Sequence, residues 1–231
     1  MTKVFAHRGF RETDRENTVA AFLAARGIGV DGVELDVRRT ADHALVVHHD
    51  PICNGLVISE SRQRDLPIYV PTLDEAMEAC EGMLVNVEIK NRQHRAESTY
   101  DASGDFARQV VRNLQETKWA DRVIISSFDQ ATCEAARSFD ADIKVGWLLR
   151  TVDMASAMTQ AHLLGFTAVH PHYKDLDASA MATAKELELE VNTWTVNSRR
   201  ALGATIELGV NAIITDQPSR AKVIADNASP D

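Results

Sequence analysis

The sequence predicts an α/β protein built as a (β/α)8 barrel with a short loop insertion after its second strand. Three observations carry that expectation. Eight short apolar runs alternate with eight amphipathic stretches, which is the grammar of a parallel sheet. The whole pattern fits into 231 residues, the arithmetic of a compact barrel. No glycine-rich dinucleotide loop follows the first run, which disfavours the open doubly wound sheet that the same alternation also allows. One domain over 1–231 is expected, with 51–71 as a reduced insertion and 227–231 as a frayed tail.

The elements follow in order. The first strand is expected at Val4–Arg8. Asn17 can cap the next helix, which has Val19, Phe22 and Leu23 on its apolar face and Gly27 at its end. The second strand is Val33–Arg38, and Ala44–His49 reads as an extended run prolonging it at its top. Pro51–Pro71 reads as an irregular loop, and long loops in compact barrels are usually functional. Thr72-x-x-Glu75 is a capping box ahead of Ala76, Met77 and Cys80. The remaining strands are Leu84–Lys90, Arg122–Ser127, Ile143–Leu148, Ala168–Pro171, Glu190–Val196 and Ala212–Thr215. The helices between them are Asp105–Thr117, Asp129–Ser138, Asp153–Leu164, Asp177–Leu187 and Ser198–Leu208, with a short last helix from about Ser219.

Composition narrows the function. Apolar residues make up 45% and charged residues 26%, which excludes disorder for most of the chain. Basic residues number 25 against 34 acidic ones, a net charge of −9. Such a chain is a poor binder of duplex nucleic acid, and it has no polybasic run for anionic lipid heads. No stretch approaches the length of a membrane span, so no stable membrane anchor is expected. Cys53, Cys80 and Cys133 are odd in number and form no CxxC pair, so neither a disulfide framework nor a zinc site is indicated. The first residues break too early for a signal peptide, and a reduced, cytoplasmic protein is expected. Nothing here sets an oligomeric state.

The chemistry lies in the strands. In Val33-Glu34-Leu35-Asp36-Val37 the apolar residues take one face and both acids the other. In Val85-Asn86-Val87-Glu88-Ile89-Lys90, Asn86, Glu88 and Lys90 share a face. The helix-facing side of a barrel strand must be apolar, so Glu34, Asp36, Glu88 and Lys90 should point inward. Three acids inside one barrel mouth repel strongly, and Lys90 offsets one charge only. A divalent cation resolves this, and an all-oxygen donor set favours Mg²⁺, Ca²⁺ or Mn²⁺ over zinc. The plainer alternative is solvated acids on the open face of an antiparallel sheet. A second strand with an inward Glu and Lys weighs against it.

His7 ends the first strand and His49 ends the Ala44–His49 run, at the same barrel end as the carboxylates. Together they make an acid–base pair. His48 is the rival to His49, and strand parity lets only one of them face the site. Arg8 and Lys90 suit a phosphate, Arg through its bidentate fork. Gly9 would let the chain turn sharply and bring backbone close to substrate. Trp194 is either core or pocket wall. Ser126, Ser127 and Phe128 end the fourth strand at the mouth. His170 and His172 end the sixth strand with the same double reading as Trp194. Asp216 reads as a turn or helix-capping residue rather than a site residue.

These residues resemble the glycerophosphodiester phosphodiesterases. The match runs through Ala6-His7-Arg8-Gly9, Glu16-Asn17-Thr18 with Ala21-Phe22, Glu34-Leu35-Asp36-Val37, Val46–Asp50, Pro71-Thr72-Leu73-Asp74-Glu75 and Val87-Glu88-Ile89-Lys90. It continues in Ser126-Ser127-Phe128, Trp194-Thr195-Val196-Asn197 and Ile213-Ile214-Thr215-Asp216-Gln217-Pro218. His-Arg-Gly, then Glu-x-Asp 27 positions on, then His-Asp after 13 more, is specific as an ordered set. The resemblance implies a TIM barrel that hydrolyses glycerophosphodiesters to glycerol 3-phosphate and an alcohol. It implies Glu34, Asp36 and Glu88 as ligands of Mg²⁺ or Ca²⁺, His7 and His49 as acid and base, and Arg8 and Lys90 as phosphate contacts. It also implies a substrate hydroxyl as nucleophile, with a cyclic phosphate that water then opens. One departure stands out. The Arg-Thr-Thr-like run often found after His-Asp is replaced by Pro51-Ile52-Cys53-Asn54-Gly55, and the insertion is short. A more open mouth would admit varied alcohols, so a relative acting on a lysophospholipid or a sugar phosphodiester is an alternative. A non-catalytic phosphate-binding barrel is another, although no ligand or histidine is lost.

Overall fold

Alternating faces and short connections force the chain to wind strand, helix, strand, and the result closes on itself. The computed structural model describes residues 1–92, 100–150 and 152–228. The strands are β1 (Lys3–His7), β2 (Gly32–Arg39), β3 (Leu45–Val47), β4 (Ile52–Cys53), β5 (Leu56–Val57), β6 (Leu84–Ile89), β7 (Val123–Ser127), β8 (Lys144–Leu149), β9 (Ala168–Pro171), β10 (Glu190–Thr193) and β11 (Ala212–Thr215). The helices are α1 (Val19–Gly27), α2 (Leu73–Ala79), α3 (Asp105–Glu116), α4 (Gln130–Phe139), α5 (Met154–Leu163), α6 (Ala178–Glu186), α7 (Arg199–Glu207) and α8 (Pro218–Asn227).

Eight strands form the barrel in the order β1, β2, β6, β7, β8, β9, β10, β11, all parallel, and β11 pairs with β1 to close it. This is the predicted (β/α)8 TIM barrel. Val33, Leu35 and Val37 of β2 and Val85, Val87 and Ile89 of β6 face outward and are buried under the helices. Each such aliphatic side chain contributes roughly 1.5–3 kcal/mol by leaving water. Inside the barrel, Phe5, Ala212 and Ile214 pack together with Leu84 and Trp194. No helix of the described residues is long and apolar enough to cross a membrane.

Four local expectations are revised. The cap of α1 is Thr18, whose side chain accepts from the Ala21 N–H; Asn17 instead takes a left-handed φ of 55°. The run after β2 is a three-residue strand antiparallel to it, with Val37 opposite Val47, so it folds back along the tip. The 51–71 insertion is not irregular throughout. It holds the β4–β5 hairpin and two single 3-10 turns, Ile58–Glu60 and Gln63–Asp65, around a small core of Val46, Cys53, Ile58 and Val70. Helix α8 runs through Asn227, and 229–231 of the expected tail lie outside the described residues.

Candidate active site

Strand register assembles the centre. His7 on β1 lies beside Glu34 on β2, Glu34 beside Asn86 on β6, and Asp36 beside Glu88. Side chains two apart share a face, so the three acids converge inside the mouth. One oxygen from each of Glu34, Asp36 and Glu88 lies within 4.8 Å of the others, and all three residues are buried.

Two cations reach into this cluster. Lys90, just past β6, donates to Glu88 Oε1 at 2.7 Å and lies 3.1 Å from Asp36 Oδ1. Arg8 leaves β1 with a φ of 60°, which turns its Nε to 3.3 Å from Asp36 Oδ2 while its Nη1 donates to Glu16 Oε1 at 2.8 Å. Asn17 Nδ2 donates to Asp36 Oδ2 at 2.7 Å. Burial pushes the Asp36 carboxyl up, but Lys90, Arg8 and His49, with the Asn17 hydrogen bond, outweigh it and hold it well below its usual range. Glu34 goes the other way. Burial, then the charges of Asp36 and Glu88, push its carboxyl well above the ordinary value, against Arg8 and Lys90. Its Oε1 is buried and accepts no hydrogen bond. A buried carboxylate oxygen without a donor, facing two further carboxylates, is the environment that a hard divalent cation relieves. The donor set fits such an ion.

Both histidines are anchored through Nδ1. His7 Nδ1 lies 2.7 Å from Asp216 Oδ1, and His49 Nδ1 lies 2.8 Å from Asp50 Oδ1. A carboxylate only accepts, so each Nδ1 carries the proton and Nε2 is left as the basic nitrogen. Burial pushes Asp216 up, yet the His7 hydrogen bond and charge, with Asn197 and Arg11, bring it down to about 2. Burial lowers His49, with Lys90 and Arg8 adding to the effect against Asp36 and Asp50. The buried Arg38 donates from Nε and Nη2 to the His49 carbonyl at 3.0 and 2.5 Å, which fixes the peptide that carries the ring. His48 turns its Nδ1 to the Asp50 carbonyl instead.

A cavity of about 110 Å³ is lined by His7, Arg8, Glu34, His49, Glu88 and Lys90. A neighbouring one of about 310 Å³ shares His49, Glu88, Lys90, Phe128 and Trp194 with it. Phe128 and Trp194 meet edge to face at 5.3 Å and wall both. The Trp194 indole N–H donates to the His170 carbonyl at 2.7 Å, past the end of β10, which stops at Thr193. Every predicted site residue therefore lies at one mouth, and it is His49 that lines the cavities. Ser127 joins the wider one, whereas Ser126 is fully buried. His170 is buried in the barrel wall. Gly9 serves a helix contact: a Cβ there would stand 2.7 Å from Ala21 Cβ.

Asp216 corrects the sequence reading. It caps nothing, since Gln217 takes that place on α8, and it holds His7. The available signal was closure itself, because the end of an eighth barrel strand must lie beside the end of the first.

Residues 7–68 and 53–220 match the profile of the Glycerophosphoryl diester phosphodiesterase family. The chain belongs to that family. A glycerophosphodiester phosphodiesterase of Bacillus altitudinis is 30% identical, over 98% of this chain and 99% of that one. One from Caldanaerobacter subterraneus subsp. tengcongensis is 29% identical, over 94% and 95%. The crystal structure of a glycerophosphodiester phosphodiesterase from Parabacteroides distasonis superposes with a TM-score of 0.86 at 28% identity, covering 99% of this chain and 98% of that one. In this family member the β1–β11 closure brings a histidine and its carboxylate together at the edge of the acidic cluster.

Proposed function

We propose that this chain hydrolyses glycerophosphodiesters to glycerol 3-phosphate and an alcohol, with His7 and His49 as acid and base. The observation that carries this is the single mouth where both imidazoles, each with Nδ1 on a carboxylate, flank Glu34, Glu88, Arg8 and Lys90 in a chain of this family.

One imidazole takes the proton of the glycerol hydroxyl next to the phosphate, and that oxygen attacks phosphorus. The other gives its proton to the leaving alcohol as the P–O bond breaks, which yields a cyclic phosphate. Water then opens the ring with the two roles exchanged. Proximity makes the attack efficient without a side-chain nucleophile. Lys90, and the Arg8 donors beyond the one given to Glu16, hold phosphoryl oxygens and stabilise their growing charge. Glu34, Asp36 and Glu88 would hold one divalent cation, Mg²⁺ or Ca²⁺ with Mn²⁺ also suited, which supplies Lewis-acid stabilisation of the phosphoryl group. The reading sets the protein in the cytoplasm, which the three buried free thiols suit.

The test combines kinetics with calorimetry. His7→Ala and His49→Ala should each lose at least about 10²-fold in turnover while keeping metal affinity. Glu88→Ala should lose both. Full turnover by His49→Ala, or wild-type metal affinity in Glu88→Ala, would remove those assignments. Equal rates on a glycerophosphodiester and its deoxy analogue would replace the cyclic phosphate with direct attack by water.

A further inference from the structure

We propose that the wider half of the cavity selects esters whose leaving alcohol carries negative charge, through Arg92 and Arg150. The proposal rests on the phosphodiesterase reading above and names the substrate class of the same site. The about 310 Å³ cavity opens beside His49 and Lys90, so an alcohol departing from a phosphorus held there is accommodated in it.

Most charges lining this space are already committed. Lys90 is bound to Glu88 and Asp36, Arg38 holds the His49 carbonyl, and Asp50 accepts from His49. Arg92 and Arg150 remain. Both line the cavity, both are exposed, and neither forms an ion pair with a described residue. Among the described residues, the uncommitted charge facing a leaving group is thus positive. The aromatic wall, which would otherwise attract a quaternary ammonium, is also covered. The Arg92 guanidinium stands 5.6 Å from the Phe128 ring centroid, and Trp194 is flanked edge-on by Phe128 and His172, each at 5.3 Å. A cationic alcohol would meet like charge where it needs a bare ring, whereas a carboxylate or phosphate would meet two planar donor forks. Selection by repulsion and selection by attraction act in the same sense here. The short insertion alone suggested a permissive pocket; the charges argue for a selective one.

The test is a ratio of kcat/KM values for three glycerophosphodiesters, with a divalent cation present. Their leaving alcohols are choline, glycerol and a glycerol bearing a second phosphate. The phosphorylated ester should exceed the choline ester by about tenfold or more, mostly through KM, and salt should shrink the gap because these arginines are exposed. Arg150→Glu and Arg92→Glu should each move the ratio several-fold toward choline, and Arg150→Gln should move it less. A wild-type enzyme that turns over the choline ester as fast as the phosphorylated one would overturn the proposal and leave the phosphodiesterase reading standing, as would a ratio unmoved in all the variants. No turnover of any ester would overturn both.

Discussion

Asp216 lies 209 residues from His7 in the chain and 2.7 Å from its Nδ1. It is held from three sides, by His7, by Asn197 Nδ2 at 2.7 Å and by Arg11 Nη1 at 3.1 Å. That grip leaves the carboxylate ionised and the imidazole in one tautomer and one orientation. Asp216→Asn keeps the shape and removes the charge, and its amide can donate to Nδ1 and favour the wrong tautomer. Turnover should fall by about 10²-fold or more, with metal affinity retained and the pH–rate profile displaced. A merely structural role would lower stability without moving the profile. An unchanged kcat and profile would mean that His7 needs no such partner. Asp50, which holds His49 in the same way, is largely exposed, so Asp50→Asn should cost less.

At the scale of elements, β8 carries a glycine for a reason of space. Gly146 faces the His170 ring on β9, and a Cβ at Gly146 would run into that buried imidazole. Gly146→Ala should destabilise the barrel by about 1–3 kcal/mol, the range for overpacking, seen as a lower urea midpoint at unchanged slope. An unchanged midpoint would mean that the ring has room to move. The strands and helices themselves were legible because periods of two and 3.6 survive in the residues: the inward acids of β2 and β6 followed from alternation alone. The β4–β5 hairpin has a local signal of its own. Asn54-Gly55 between Ile52-Cys53 and Leu56-Val57 is a type I′ signal, and both residues have positive φ, 49° and 83°. Asn17 misled because Asn favours both caps and left-handed turns; only the nearby Asp36 decides between them. Arg38 and Asp216 were out of reach of any local pattern, since their partners are set by strand ends meeting across the mouth.

The barrel interior also keeps a histidine in its neutral form. His170 is completely buried, and burial pushes it down to about 3 from an ordinary value of 6.5. The unfolded chain therefore binds this proton first as pH falls. The stability is fully present above about pH 6.5 and is lost progressively toward pH 3, with a slope of up to about 1.4 kcal/mol per unit from this group. Denaturation series across that window should show a shallower dependence for His170→Gln than for wild type; identical slopes would place the acid sensitivity elsewhere. Closure of the barrel has a consequence in time as well. The acidic cluster is complete once Glu88 has been made, but Asp216 follows 128 residues later. At synthesis rates of about 5–20 residues per second, that is a delay of roughly 6–26 s. A growing chain on the ribosome thus carries its three clustered acids well before it owns the residue that holds His7. The barrel closes, and His7 meets its carboxylate, only when the last strand emerges and docks against the first.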